Sequence, residues 1–217
     1  MVRAAKKRGV VRKGEARQAE VLAMARRVLV EDGYDRFSLR EIAARVGVTL
    51  GNLQYYFPAR DDLLEAVLRS ELARDQAELA TVAARARSPR DALAAVVRHL
   101  IEEWTREGRR VYVVLSLLAL HQPRFAAFHR EVYARFYEAL VPLLRDLRPE
   151  AERAELLRLA RILTILLDGA VLQGSGPSLI ADSVDAVLRV VAPEEGAGVT
   201  RPAPTRARRA RRKPTRT

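Results

Sequence analysis

The stretch SLREIAARVGVTLGNLQYYFP, residues 38–58, decides the fold. Ser38 followed by Glu41 reads as a capping box, in which the hydroxyl caps a new helix and Glu41 reaches back to the backbone. Gly47 stops that helix after about two turns. Thr49 supplies a second N-cap, and the helix it opens ends at Pro58. Across the two helices Ile42, Ala43, Val46, Val48, Leu53 and Phe57 form the apolar set that packs them together. Arg40, Thr49, Leu50, Gly51, Asn52, Gln54 and Tyr55 remain available on the outside.

Gly51 needs a reason, because glycine inside a helix costs about 1 kcal/mol relative to alanine. Without a side chain it lets the backbone approach a base edge or a phosphate. Tyr56 and Phe57 read first as anchors, with the Tyr56 hydroxyl free to reach a phosphate, whereas Tyr55 fits either role. Two short capped helices across a glycine turn have the shape of a helix-turn-helix, whose second helix enters the DNA major groove.

Helical periodicity continues on both sides. Val21, Leu22, Ala25, Val28 and Leu29 make one apolar stripe that Gly33 ends. A long helix follows Pro58, carrying Leu63, Leu64, Val67, Leu68 and Leu72. Ser88 and Pro89 open the next, and further helices are predicted over 89–106, 109–121, 123–147, 149–173 and 178–191. Pro142 is expected to kink the third of these. With neither a strand pattern nor an internal repeat, the reading is all-α, about nine helices.

The chain has 217 residues, no cysteine and a net charge of +12. The absence of cysteine excludes a disulfide scaffold, thiolate metal sites and a cysteine nucleophile, and it suits a reducing cytosol. The excess charge is local. Residues 1–14 contribute +6 and residues 193–217 another +6, leaving 15–192 neutral. These ends read as a basic flexible arm and a disordered Arg-rich tail. They suit nucleic acid, an anionic membrane surface or merely solubility. The longest apolar run, Val111 to Leu120, is half what a bilayer requires, and Arg26 and Arg27 interrupt the segment a secretory signal would need. A cytoplasmic protein with no membrane partner is expected.

The motif Phe37-Ser38-Leu39-Arg40-Glu41-Ile42-Ala43, then Gly47-Val48-Thr49, then Leu53-x-Tyr55-Tyr56-Phe57-Pro58-x-Arg60-x-x-Leu63-Leu64, resembles the TetR family of bacterial transcriptional regulators. The motif spans roughly residues 15–75. The resemblance implies a helix-turn-helix domain over 15–75 and a larger effector-binding and dimerisation domain over 76–192. It also implies that Arg40, Leu50, Gly51 and Gln54 face bases, while Ser38, Asn52, Tyr55, Tyr56 and Arg60 meet phosphates. Gln54 stands where the family commonly has tyrosine, and glutamine can bond adenine N6 and N7 together. The implied function is a repressor, bound to a pseudo-palindromic operator and released by a small-molecule effector.

The segment RILTILLDGAVLQG, from Arg161, is apolar almost all round, so it must be covered on two sides. With the apolar positions of 178–191 it offers a homodimer surface through helices 149–173 and 178–191, which the resemblance also implies. Asp168 within that run is the odd residue, either an effector or cross-subunit ligand or a locally paired carboxylate. Trp104, Tyr112, His121, Phe125, Phe128 and Tyr133, with Asp168, are the candidate pocket for a hydrophobic effector, although aromatics at helical spacing also build plain core. Two rival functions carry less. No nucleophile elbow, zinc motif, Walker loop or dinucleotide pattern is present, and His99, His121 and His129 are wrongly spaced for a metal, so neither catalysis nor a cofactor is implied. A nucleoid-coating or membrane-surface protein would rest on the tails alone.

Overall fold

A computed structural model of the chain describes residues 2–174 and 176–191, and among these it is helical throughout, with no strand. Helix α1, Val2–Arg27, continues into a π-helical turn, Val28–Asp32, and a 3-10 turn, Tyr34–Arg36. Helices α2, Leu39–Val46, and α3, Leu50–Tyr56, precede the long α4, Arg60–Ala84. Then come α5, Pro89–Glu103, a second π turn, Trp104–Gly108, and α6, Arg109–His121. Helices α7, Pro123–Leu147, α8, Arg153–Gln173, and α9, Pro177–Val191, complete the described fold.

The local chemistry explains these boundaries. Gly33, Gly47 and Gly174 adopt positive φ at the turns that end α1 with its π extension, α2 and α8, a region costly for any side chain. Ser88 accepts the Asp91 N–H at 3.1 Å, and Pro89 follows at the first helical position. Helix α8 starts at Arg153, four residues later than expected: residues 148–151 form a turn, with the Ala151 N–H donating to the Arg148 carbonyl at 3.1 Å, and Glu152 takes an extended conformation as the cap. Helix α7 runs unbroken through Pro142.

The basic segment expected as a flexible arm has helical backbone from Val2 onward. It contains good helix formers and no proline, so α1 meets no stop signal before its π turn. The Arg-rich tail, 193–217, lies outside the described residues.

Two apolar cores form, and the first takes in residues well beyond position 75. The first gathers α1 to α4 with Val111, Leu115 and Leu118 of α6 and Phe125, Phe128 and Val132 of α7. The second joins α5, α8 and α9 with Phe136, Leu140 and Leu144 of α7. Helices α6 and α7 thus fasten the helix-turn-helix to the rest of the molecule.

Candidate nucleic-acid interface and interior cavity

The motif that opened the sequence reading folds on its own caps. The Ser38 hydroxyl accepts the Glu41 N–H at 3.2 Å, and the Thr49 hydroxyl accepts the Asn52 N–H at 3.2 Å. The reciprocal half of the expected capping box gives way to an ion pair, with Arg45 Nε donating to Glu41 at 2.7 Å. Leu53 and Phe57 are buried, as are Ile42 and Ala43, and they seat α3 on the first core. Full burial of a leucine stabilises by roughly 1.5–3 kcal/mol.

With those anchors set, Arg40, Thr49, Gly51, Asn52 and Gln54 stand in solvent, and Leu50 is half-buried. Tyr55 is 83% exposed, its ring edge-on to Tyr56 at 5.2 Å. Tyr56 is half-buried, with its hydroxyl near Gly14 of α1. A β-carbon added at Gly51 would meet nothing within 4 Å, so packing within the chain does not require glycine there. Arg60, expected at a phosphate, is committed elsewhere. Its Nη2 donates to the Tyr34 carbonyl at 2.6 Å, and its guanidinium lies 4.0 Å from the centre of the Tyr34 ring.

Of the expected pocket residues, four come together. A cavity of about 140 Å³ is lined by Trp104, Tyr112, Tyr133 and Asp168, with Val113 and Leu172 also on its wall. A smaller recess of about 30 Å³ shares those four and reaches Phe136 and Thr164. The other three do not belong to it. His121 is exposed at the end of α6. Phe125 and Phe128 are buried in the first core, the latter beneath the Arg69 guanidinium at 4.5 Å. Helical spacing showed that these two rings face inward, but not which of two cores they enter.

One carboxylate, Asp168, lines the cavity, and a second, Asp75, stands behind its wall. Tyr133 donates its hydroxyl to Asp168 at 2.9 Å. Asp75, on α4, accepts from the Tyr112 hydroxyl at 2.8 Å and from the Trp104 indole at 3.1 Å. Burial pushes both carboxyls above the usual range, and these donors only partly oppose it. Arg74 stands 3.8 Å from Asp75, whereas among the described residues no ion pair to Asp168 is formed. Asp75 was not among the candidates in the sequence. It follows Leu64, Leu68 and Leu72 on the buried stripe of α4, and an acid in such a stripe was the available sign.

A second acid on that stripe, Glu71, ties the cavity to the DNA-binding helices. Arg26 of α1 donates to Glu71 at 2.8 Å and to Glu107 at 2.9 Å. Glu107 belongs to the π turn that Trp104 begins, and Arg110, just beyond it, donates to the Val30 carbonyl.

Comparison with known proteins agrees with this anatomy. Residues 21–67 match the family model for bacterial regulatory proteins of the tetR family, and residues 89–192 match that for the C-terminal part of BetI-type transcriptional repressors. The chain is 29% identical over 167 residues to the HTH-type transcriptional regulator BetI of Stenotrophomonas maltophilia, covering 73% of this chain and 81% of that one. Among solved structures, a transcriptional regulator from Rhodococcus sp. Rha1 superposes with a TM-score of 0.67 at 25% identity, over 80% of this chain and 95% of the other. A regulator from Saccharomonospora viridis, solved in complex with choline, has the same fold, with a TM-score of 0.63 at 20% identity over 80% and 94% of the two chains. This chain belongs to the TetR family of bacterial transcriptional regulators.

Proposed function

We propose that the chain is an operator-specific repressor that works as a homodimer and leaves DNA when a small organic cation enters the Trp104–Asp168 cavity. In this reading residues 15–75 bind DNA, and residues 76–192 dimerise and hold the effector. Arg40, Leu50, Gly51 and Gln54 face bases, while Ser38, Thr49, Asn52, Tyr55 and Tyr56 meet the backbone. Arg60, already engaged by Tyr34, holds the start of α4 to its own domain. The observation that carries the reading is Gly51: its missing side chain faces open space, so the demand for glycine comes from outside the chain. Dimerisation through α8 and α9 is supported by the exposed apolar side chains of Ile165, Leu172 and Val190. A two-fold dimer presents its recognition helices to half-sites roughly 34–36 Å apart, hence a pseudo-palindromic operator. Such a repressor works in the cytoplasm, and no helix among the described residues is long and apolar enough to cross a membrane.

The lining argues for a cationic effector over a simply hydrophobic one. A neutral apolar guest would leave the half-buried Asp168 carboxylate without a counter-charge. A cation would pair with it and gain attraction from aromatic rings in the same wall. At about 140 Å³ the cavity is smaller than the roughly 300–1,000 Å³ of drug-sized sites, which suits a ligand of few atoms. The choline complex of the S. viridis regulator and the BetI-type match support this class. Trp104, the single tryptophan, reports on the cavity directly. Titration with choline is expected to change its fluorescence and release operator DNA, whereas the uncharged carbon isostere does neither. Equal response to both would overturn the cationic class.

A further inference from the structure

Tyr55 aside, the large apolar side chains most exposed among the described residues all lie on three helices: Val113, Leu117 and Leu120 on α6, Ile165 and Leu172 on α8, and Val190 on α9. The α8 and α9 members are accounted for by the dimer reading. The α6 members are not, although they form an equally regular stripe at i, i+4 and i+7. Leu117 is 52% and Leu120 78% exposed, and a stripe of that kind marks a surface that something covers.

The α6 stripe joins the α8 surface at the mouth of the cavity. Val113 and Leu172 line the cavity together, and the same pair borders a second hollow of about 400 Å³ beside Leu29, Tyr34 and Arg110. Leu172 is 62% exposed and Val113 41%. The rim of the cavity is thus an apolar edge continuous with the face assigned to a second copy. Apolar rims of this composition suit the core of a homodimer interface, which is depleted in charge.

We propose that the two-fold seam extends onto the outer edge of α6, so that the partner subunit covers Val113 and Leu172 and closes the mouth of the cavity. The proposal rests on the dimer reading of α8 and α9 and goes beyond it: each binding site is complete only in the dimer. Effector occupancy and subunit packing then share one surface, and a ligand that shifts the rim also shifts the seam. The occupant is a second copy of this chain because the stripe runs without a break into the dimer face.

The cysteine-free chain makes the test direct. Single substitutions Leu117→Cys, Leu120→Cys and Leu172→Cys are compared with Ile165→Cys on α8 and with Ala80→Cys, an exposed position on α4. Thiol-labelling rates are measured on full-length protein whose dimeric state is checked by sedimentation. The expected result is loss of reactivity at Leu117→Cys, Leu120→Cys, Leu172→Cys and Ile165→Cys relative to Ala80→Cys. If Ile165→Cys is protected while Leu117→Cys and Leu120→Cys label as fast as Ala80→Cys, the extended seam is overturned and the α8–α9 dimer stands. If all label fast, both fail. Protection of α6 that appears only with anionic vesicles would assign this face to a lipid surface and likewise overturn the proposal. Acrylamide quenching of Trp104 gives a second reading: it is expected to fall on dimerisation, and an unchanged quenching constant would mean an open mouth.

Discussion

At Gly51 folding and the proposed DNA contact make opposite demands. An alanine there meets no neighbouring atom, and it improves helix propensity by at most about 1 kcal/mol. Gly51→Ala is therefore expected to leave the melting temperature unchanged or raise it, while operator affinity falls; calorimetry and DNA titration on the same sample check both. Asp168 sets up a similar opposition inside the molecule. Its folded-state pKa is raised by burial, against the weaker opposing effect of the Tyr133 hydroxyl. The sign follows: the stability tied to its protonated form is complete below the unfolded value of about 3.9, and is lost as pH rises through the folded value. Asp168→Asn, which still accepts from Tyr133, is expected to match the wild type in urea melts at low pH, exceed it at neutral pH, and lose the choline response. A variant less stable at neutral pH would show that the carboxylate holds the fold. Side chains such as Gln54 and Asp168 stood out as candidates because each broke a pattern, an atypical residue in a motif or an acid in an apolar helix. The inward turn of Arg60 was not legible, since its partner Tyr34 lies 26 positions away.

Among the elements, the π turn Trp104–Gly108 links the cavity to α1. It begins with a cavity wall and carries the Glu107 carboxylate to Arg26 of α1. On α4, Asp75 holds the cavity residues Tyr112 and Trp104, and Glu71, one helical turn earlier, holds the same arginine. In the proposed mechanism, a ligand that moved Trp104 would pull on a contact with α1, the differential interaction an allosteric effector requires. Glu107→Gln removes the charge from the exposed side of this contact and leaves Arg26–Glu71 in place. Its expected effect is near-normal operator affinity with a smaller release by choline, measured by DNA anisotropy with and without the ligand; an undiminished release would exclude this route. Helices α2 and α3 were readable because Ser38, Gly47 and Thr49 are local signals that act on their own neighbours. The π turns were not, because they carry no compositional mark of their own, and the merging of α6 and α7 into the first core depends on contacts far apart in sequence.

For the whole molecule, charge and shape assign different tasks to different parts. The segment 15–192 is neutral overall, and the excess positive charge sits at the two ends of the sequence. Basic ends add affinity for any DNA by releasing counterions, and they carry no sequence information. Specificity must then come from the helix-turn-helix, where Gln54 is expected to contribute roughly 1–3 kcal/mol at one adenine position if it bonds bidentately. The all-α plan was legible in the periodicity of the sequence, and the dimer surface proposed on α8 and α9 draws on the same periodicity. The cavity was only partly legible, since its volume arises where α4, α6, α7, α8 and the π turn meet. The most direct test is the ratio of affinities for DNA recovered by genome-wide binding-site mapping and for scrambled DNA of equal length, measured at one salt concentration. Full-length protein, Gln54→Ala and a form lacking 193–217 are compared. The account predicts that deleting the tail weakens both affinities and keeps their ratio, whereas Gln54→Ala lowers the ratio about 5- to 150-fold, equivalent to roughly 1–3 kcal/mol, and leaves scrambled-DNA binding intact. A ratio that survives Gln54→Ala but collapses without the tail would contradict it.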